Sequence, residues 1–386
     1  MNKEYQMKVL EKIIELHNNG RVKIKIEEID KRYTQKGQSD VYETLNKILY
    51  DLETKGFIQI EQLTKGQIVT SKTIKIFKIQ KEKMNELASQ CGLKTREQLN
   101  EESKEILLMY QNSHCLLQDF IHSSLDDINK NNYVSLISIS KDVSILENTL
   151  KAIDMITKQK DDILLRDMSQ KIFSNSKDLE EILPSIGIAL KNAYDNIDDF
   201  LREFHVFKNP TGALIKGCGV IYFKHGDRIT LRPNAAIELD KEYVNDIDRI
   251  EVETVLTVEN KTSFYKIFNN PFNGAILFLG GYSNNVNIDL IKKTNAQIRH
   301  FGDLDANGFK IARNLERRVG RTVDLYQMDL EILKKYQHYA KTMTDFNRKS
   351  LKLMLEDNYY SKEQKELFQY MLDNNVTLEQ EIIDAI

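Results

Sequence analysis

The stretch "IRHFGDLDANGFKIARNL", residues 298–315, decides how this chain is read. A short run of β character ends at Gly302. Asp303 and Asp305 follow, two residues apart, ahead of a segment with the apolar spacing of an amphipathic helix. Two carboxylates side by side at a strand end repel one another. That repulsion needs an offset, either a hard divalent cation or a basic side chain brought from elsewhere in the fold.

The same punctuation repeats on both sides. ETVLTVEN is a β-branched run closing on Glu259, TSFYKIFNN reads as a helix, GAILFLGG as a second strand and NVNIDLIKKTN as a second helix. AQIRHFGDLD, then NGFKIARNLERRVG, then TVDLYQMD continue the alternation, which predicts a parallel sheet with helices on both faces. Ligands of such sheets collect at the carboxyl ends of the strands, and Glu259, Asp303 and Asp305 all fall there. The period of two lets Asp303 and Asp305 face one ion while Leu304 turns into the core. Oxygen donors of this kind suit Mg²⁺ or Mn²⁺, and the lack of a His/Cys cluster argues against zinc. Carboxylates at a strand end are expected to be solvated, so that removing Asp303 or Asp305 leaves the fold intact. A DxDx(T/V) phosphatase would need Thr or Val at position 307, where this chain has Asn. Gly280-Gly281 continues as Tyr-Ser-Asn rather than a dinucleotide fingerprint, and is expected to be a tight exit from the second strand. His300 precedes the strand end and is expected to pack.

At 386 residues the chain exceeds one ordinary core. The expected domains are residues 1–84, a helical arm at 85–145, a middle domain at 146–240 and the sheet domain at 241–386. Residues 1–84 carry 17 Lys and Arg against 12 Asp and Glu, a net of +5, although the whole chain is −3. Three short helices followed by FIQIEQL and SKTIKIFKI, joined through Thr64–Gln67, follow the order of a winged helix, a module that approaches DNA or docks a protein. Apolar stripes at Ile106, Leu107, Met109, Tyr110, Leu116, Leu117, Phe120 and Ile121, and at Leu146, Leu150, Ile153 and Ile156, predict helical core packing without chemistry. The acidic ELDKEYVNDIDRIE, residues 238–251, is expected to be a linker. Three dispersed cysteines, no apolar leader and no long apolar run predict a cytoplasmic protein free of membrane spans.

The ordered set VENKTSF, LFLGGY, FGDLDANGF, MD and LEQE resembles the C-terminal Toprim domain of the JetD nuclease subunits of Wadjet anti-plasmid defence systems. LLRDMSQKIFSNSKDLE (164–180) and GCGVIYF (217–223) extend the resemblance upstream, so that it covers most of residues 145–386. It implies a DNA endonuclease that works with a condensin-like SMC complex (JetABC-like) on closed circular plasmid DNA, as a homodimer. Glu259, Asp303 and Asp305 would be the metal-binding acids, Glu259 also a proton acceptor. Glu379 and Glu381 would either add a ligand or lie on a helix surface, Lys177 would contact a phosphate, and residues 146–240 would be a topoisomerase-CAP-like gripping domain. The same arrangement occurs in the A subunit of type IIB topoisomerases, which leaves a transesterase using Tyr194 or Tyr222 as an alternative. A DNA-binding regulator that senses a metal or nucleotide is another.

Overall fold

The alternating C-terminal segments pair as a six-stranded mixed sheet in the order Val323–Leu325, Gln297–Phe301, Thr254–Val258, Ala275–Phe278, Ala213–Gly217, Ile237–Leu239. This is a computed structural model, describing residues 3–35, 38–61, 74–138, 140–267 and 274–383. The first four strands are parallel and the last two antiparallel. Thr254–Val258 is buried at all five positions, which is why it reads as a continuous β-branched run rather than an alternating one. On one face Val255, Leu277 and Ile298 pack with Leu290, Ile291, Leu315 and Val319. On the other, Leu256, Ile276 and Phe301 pack with Phe264, Phe309, Phe346 and Phe368. Helices therefore cover both faces, as the strand–helix alternation predicts.

Two differences from the sequence reading have physical causes. The strands Ala213–Gly217 and Ile237–Leu239 belong to the same sheet as the Glu259 strand, so the sheet runs across the expected boundary at residue 240. The acidic 238–251 stretch is no linker. It holds the end of a strand, the helix Lys241–Asp246 and the strand Ile247–Glu251, which pairs with Gly219–Phe223 in a separate three-stranded antiparallel sheet. Val244, Ile247 and Ile250 are buried there; the carboxylates between them obscure that spacing.

The chain divides into two compact units, Met1–Asn112 with Gln118–Glu147, and Ser113–Leu117 with Asn148–Ile386. The first begins with helix Lys3–Asn18, strand Lys23–Lys25, helices Ile26–Ile29 and Ser39–Thr54, then strands Ile58–Glu61 and Ile76–Ile79. The three strands form one antiparallel sheet with Ile76–Ile79 in the middle. Thr64–Gln67 lies outside the described residues. Leu146, Leu150, Ile153 and Ile156 are all fully buried, but Met109, counted in the first stripe, is 76% exposed at the last position of its helix. Among the described residues no helix is long and apolar enough to cross a membrane.

Phe368, on helix Lys362–Asn374, is fully buried, with ring contacts to Phe309 at 4.8 Å and Tyr360 at 5.1 Å. Phe368→Ala is expected to destabilise the chain by about 3–5 kcal/mol, the usual loss for a buried aromatic. Urea unfolding measures it.

Candidate functional site

Glu259 stands one residue beyond its strand and is locked by both neighbours. Its N–H donates to the Phe301 carbonyl at 3.0 Å, and its own carbonyl accepts from Gly280 N–H at 3.1 Å. The side chain turns toward the aspartate loop, where Oε2 accepts from the Asp303 N–H at 3.3 Å. Asp303 Oδ1 accepts from the Gln380 N–H at 2.6 Å. Asp305 caps the helix Ala306–Val319, its Oδ1 accepting from Gly308 N–H at 2.8 Å. A Cβ on Gly308 would lie 2.2 Å from the Asp303 carbonyl oxygen, so only glycine lets this turn close. Leu304 is fully buried, as the strand period predicts, and bridges Leu378 in both directions at 2.8 and 3.2 Å.

That bridge brings the C-terminal segment onto the site, and with it a residue the sequence reading missed. Gln380 is fully buried. Its Oε1 accepts from the Asn260 N–H at 2.7 Å, its Nε2 donates to the Phe301 carbonyl at 2.7 Å, and its N–H holds Asp303. One side chain thus ties together the ends of the Glu259 and Asp303 strands. Only the position of Gln380 between Glu379 and Glu381 could have drawn attention to it.

The electrostatics are those of crowded acids. Burial, then the charges of Asp303 and Asp305, raises the Glu259 carboxyl well above its usual range. Burial and Asp305 push Asp303 up to about 7, with Glu381 and Glu379 adding to the effect and the Gln380 N–H opposing it. Burial also raises Asp305, against the N–H groups of Gly308 and Asn307. Asp199, on helix Ile197–Glu203, is pushed to about 6 by burial and then by Asp305; a carboxylate so distant in sequence gave no signal. Lys310 acts on Asp305 only weakly and donates instead to Ser350 Oγ at 3.1 Å. Among the described residues no lysine or arginine forms an ion pair with Glu259, Asp303 or Asp305. Among the described residues the basic side chains that act on these acids, Lys310 on Asp305 and Lys341 on Asp303, do so without a direct ion pair.

The donor set, three desolvated carboxylates with no ion-paired cation among the described residues, fits a hard divalent ion. No group of three or more His, Cys, Asp or Glu among the described residues stands at ligand spacing. The acids are also not the solvated groups expected: Asp303 and Asp305 are partly buried, and Asp305 does structural work as a helix cap. Glu379 and Glu381 do not lie on a helix surface. The preceding helix ends at Asn374, Asn375 adopts the left-handed conformation, and the pair flanks Gln380 at a short 3₁₀ turn. Glu379 pairs with Lys341, and Glu381 accepts from Asn260 Nδ2. Lys177 is exposed at the start of helix Asp178–Leu190, where its N–H donates to Asn175 Oδ1 at 3.2 Å, and among the described residues it forms no ion pair with Glu259, Asp303 or Asp305. Gly280 and Gly281, with φ of +71° and +101°, form the tight exit expected of them.

Residues 222–386 match the family model described as Wadjet protein JetD, C-terminal. The C-terminal part of the chain is therefore similar to the C-terminal domain of JetD proteins. A curated protein of Bacillus cereus (strain Q1), described as Wadjet protein JetD, is 26% identical over 275 residues. That alignment spans 66% of this chain and 65% of the relative's length. The matched region contains Glu259, Asp303, Asp305, Glu379, Gln380 and Glu381; Asp199 lies upstream of the family model.

An aspartate whose folded-state pKa is raised from 3.8 to about 7 keeps its proton longer when folded than when unfolded. Its contribution is complete below about pH 4 and is lost as pH rises toward 7. Asp303→Asn, which keeps the acceptor for Gln380 and removes the charge, is therefore expected to melt above the wild type without metal, by a margin that widens from pH 4 to pH 7. Paired calorimetric scans across that range test it. Gln380→Ala is expected to destabilise by about 1–3 kcal/mol, because buried partners of the amide lose their bonds. A loss under about 0.5 kcal/mol in urea unfolding, the range of an ordinary surface substitution, would contradict this role.

Proposed function

We propose that the chain is the nuclease of a Wadjet-type defence system, a Mg²⁺- or Mn²⁺-dependent endonuclease that hydrolyses phosphodiesters of closed circular plasmid DNA. The observation that carries this is the crowding of Glu259, Asp303 and Asp305 with no ion-paired cation among the described residues, in a chain whose C-terminal part matches the JetD family model. Glu259, Asp303 and Asp305 hold the ion, and Glu379 or Glu381 can supply a further oxygen. When bound, the ion supplies Lewis acidity toward a phosphate oxygen and a lower pKa for its water. Glu259, whose setting favours a proton, accepts one from the attacking water. Gln380 holds the two strand ends in register while this happens.

The parallel strand order, with acids after the first and third strands, supports reading residues 241–386 as a Toprim domain built on the wider sheet. The helix–strand–helix–helix–strand–strand order of residues 3–79 and the net +5 of residues 1–84 support a winged helix that contacts DNA or a partner. Lys177 is a candidate phosphate contact. The assembly we envisage is a homodimer in the cytoplasm, each protomer cutting one strand, recruited by a condensin-like SMC complex.

The rival, transesterification through a tyrosine, is less well served. The Tyr194 hydroxyl donates to Glu203 Oε2 at 2.6 Å, and burial and that carboxylate raise the phenol far above its usual range, so the phenolate is disfavoured. Tyr222 belongs to the separate antiparallel sheet, under the Arg249 guanidinium at 4.1 Å.

Supercoiled plasmid incubated with the protein and Mn²⁺ is expected to be nicked or linearised with free ends. EDTA and Asp303→Asn should each abolish cleavage. A covalent protein–DNA adduct after denaturing electrophoresis, or cleavage by Asp303→Asn at the wild-type rate, would contradict the assignment.

A further inference from the structure

His300 was expected only to pack, yet its hydrogen bonds specify more than packing requires. The imidazole is fully buried on strand Gln297–Phe301, opposite Thr257 in the parallel register. The Thr257 hydroxyl donates to the Arg299 carbonyl at 3.0 Å and stands 3.0 Å from His300 Nδ1. A hydroxyl has one hydrogen. With that hydrogen on a carbonyl, Nδ1 must be the donor, and the remaining nitrogen of a neutral imidazole, Nε2, carries a bare lone pair. Burial lowers this imidazole to about 4, so it is neutral through the physiological range.

Nε2 meets no protein donor. It lies 2.8 Å from the place a Cβ on Gly302 would take, and Glu259 Oε2 lies 2.7 Å from the same point. The rungs along this sheet face run from Val255–Ile298 through Thr257–His300 toward Glu259 and Gly302. A buried acceptor and a carboxylate oxygen thus converge on a notch that exists because residue 302 has no side chain. With Glu259 ionised both are acceptors, so what links them must donate twice. A water molecule does this, one hydrogen to each.

We propose that His300 is a positioning residue for Glu259: its Nε2 lone pair and Glu259 Oε2 hold one water over Gly302, and that water sets the direction in which the glutamate presents its other oxygen. The inference rests on reading Glu259 as a site carboxylate, but the hydrogen-bond chain can be tested without metal or DNA. Long-range proton–nitrogen spectra of the full chain with isotope-labelled histidine, with His300 assigned by its loss in His300→Gln, should show the hydrogen on Nδ1. The Glu259 carboxyl carbon resonance of the metal-free chain should shift in His300→Phe and return toward wild type in His300→Gln, whose amide oxygen can replace the Nε2 acceptor. Mn²⁺ affinity, read by electron paramagnetic resonance, should fall about 10–100-fold in His300→Phe, the usual effect of losing a group that orients a ligand, and recover substantially in His300→Gln.

A hydrogen on Nε2, or a Glu259 resonance unchanged in a folded His300→Phe chain, would overturn the proposal. So would an imidazole nitrogen bound directly to Mn²⁺. A wild-type chain that binds no Mn²⁺ while showing the bare Nε2 and the Glu259 shift would instead overturn the metal reading and leave this one standing.

Discussion

The structure turns on the repulsion among Glu259, Asp303 and Asp305. Two adjacent parallel strands deliver these carboxylates to one sheet edge, and the surroundings partly remove them from water without an ion-paired cation among the described residues. What holds them meanwhile is a set of N–H donors: Asp303 N–H on Glu259, Gln380 N–H on Asp303, and Gly308 N–H on Asp305. Such donors stabilise a carboxylate locally but leave the net negative charge in place. The site is arranged to gain stability from whatever positive charge it receives, and a divalent ion with phosphate oxygens completing its shell is suited to that arrangement.

Seen this way, the C-terminal segment is part of the site rather than an appendage. The Leu304–Leu378 bridge sets the register, and Gln380 then bonds the end of each acidic strand. Glu379 and Glu381 flank it and raise Asp303 further. A loop that crowded acids would otherwise push apart is held by a buried amide and two backbone bonds. Asp305 serves twice, as a site acid and as a helix cap, so its removal reaches beyond the chemistry. A loss of an N-cap typically costs about 1 kcal/mol.

The parts legible in the sequence were those with local causes. The buried β-branched run before Glu259, the alternation of strand and helix and the inward turn of Leu304 each follow from spacing within a few residues. The placement of the acids at strand ends followed from the same pattern, and the structure brings Glu259 to Asp303. What escaped notice has non-local causes. Asp199 reaches the site's electrostatic field from a helix about a hundred positions upstream of Asp305, and Gln380 meets Asn260 across 120 residues. The acidic 238–251 stretch hid a helix and a strand because its four buried aliphatics stand among carboxylates. The short strand Lys23–Lys25 was missed because, at three residues, it carries no readable period.

The most direct measurement of the central claim is anomalous diffraction at the manganese edge from crystals soaked in Mn²⁺. The account predicts a peak within coordination distance of Glu259 and Asp303 oxygens, with Asp305 in the same shell or the next. A well-ordered site that stays free of manganese, with a lysine or arginine side chain swung in to neutralise the three acids, would contradict it.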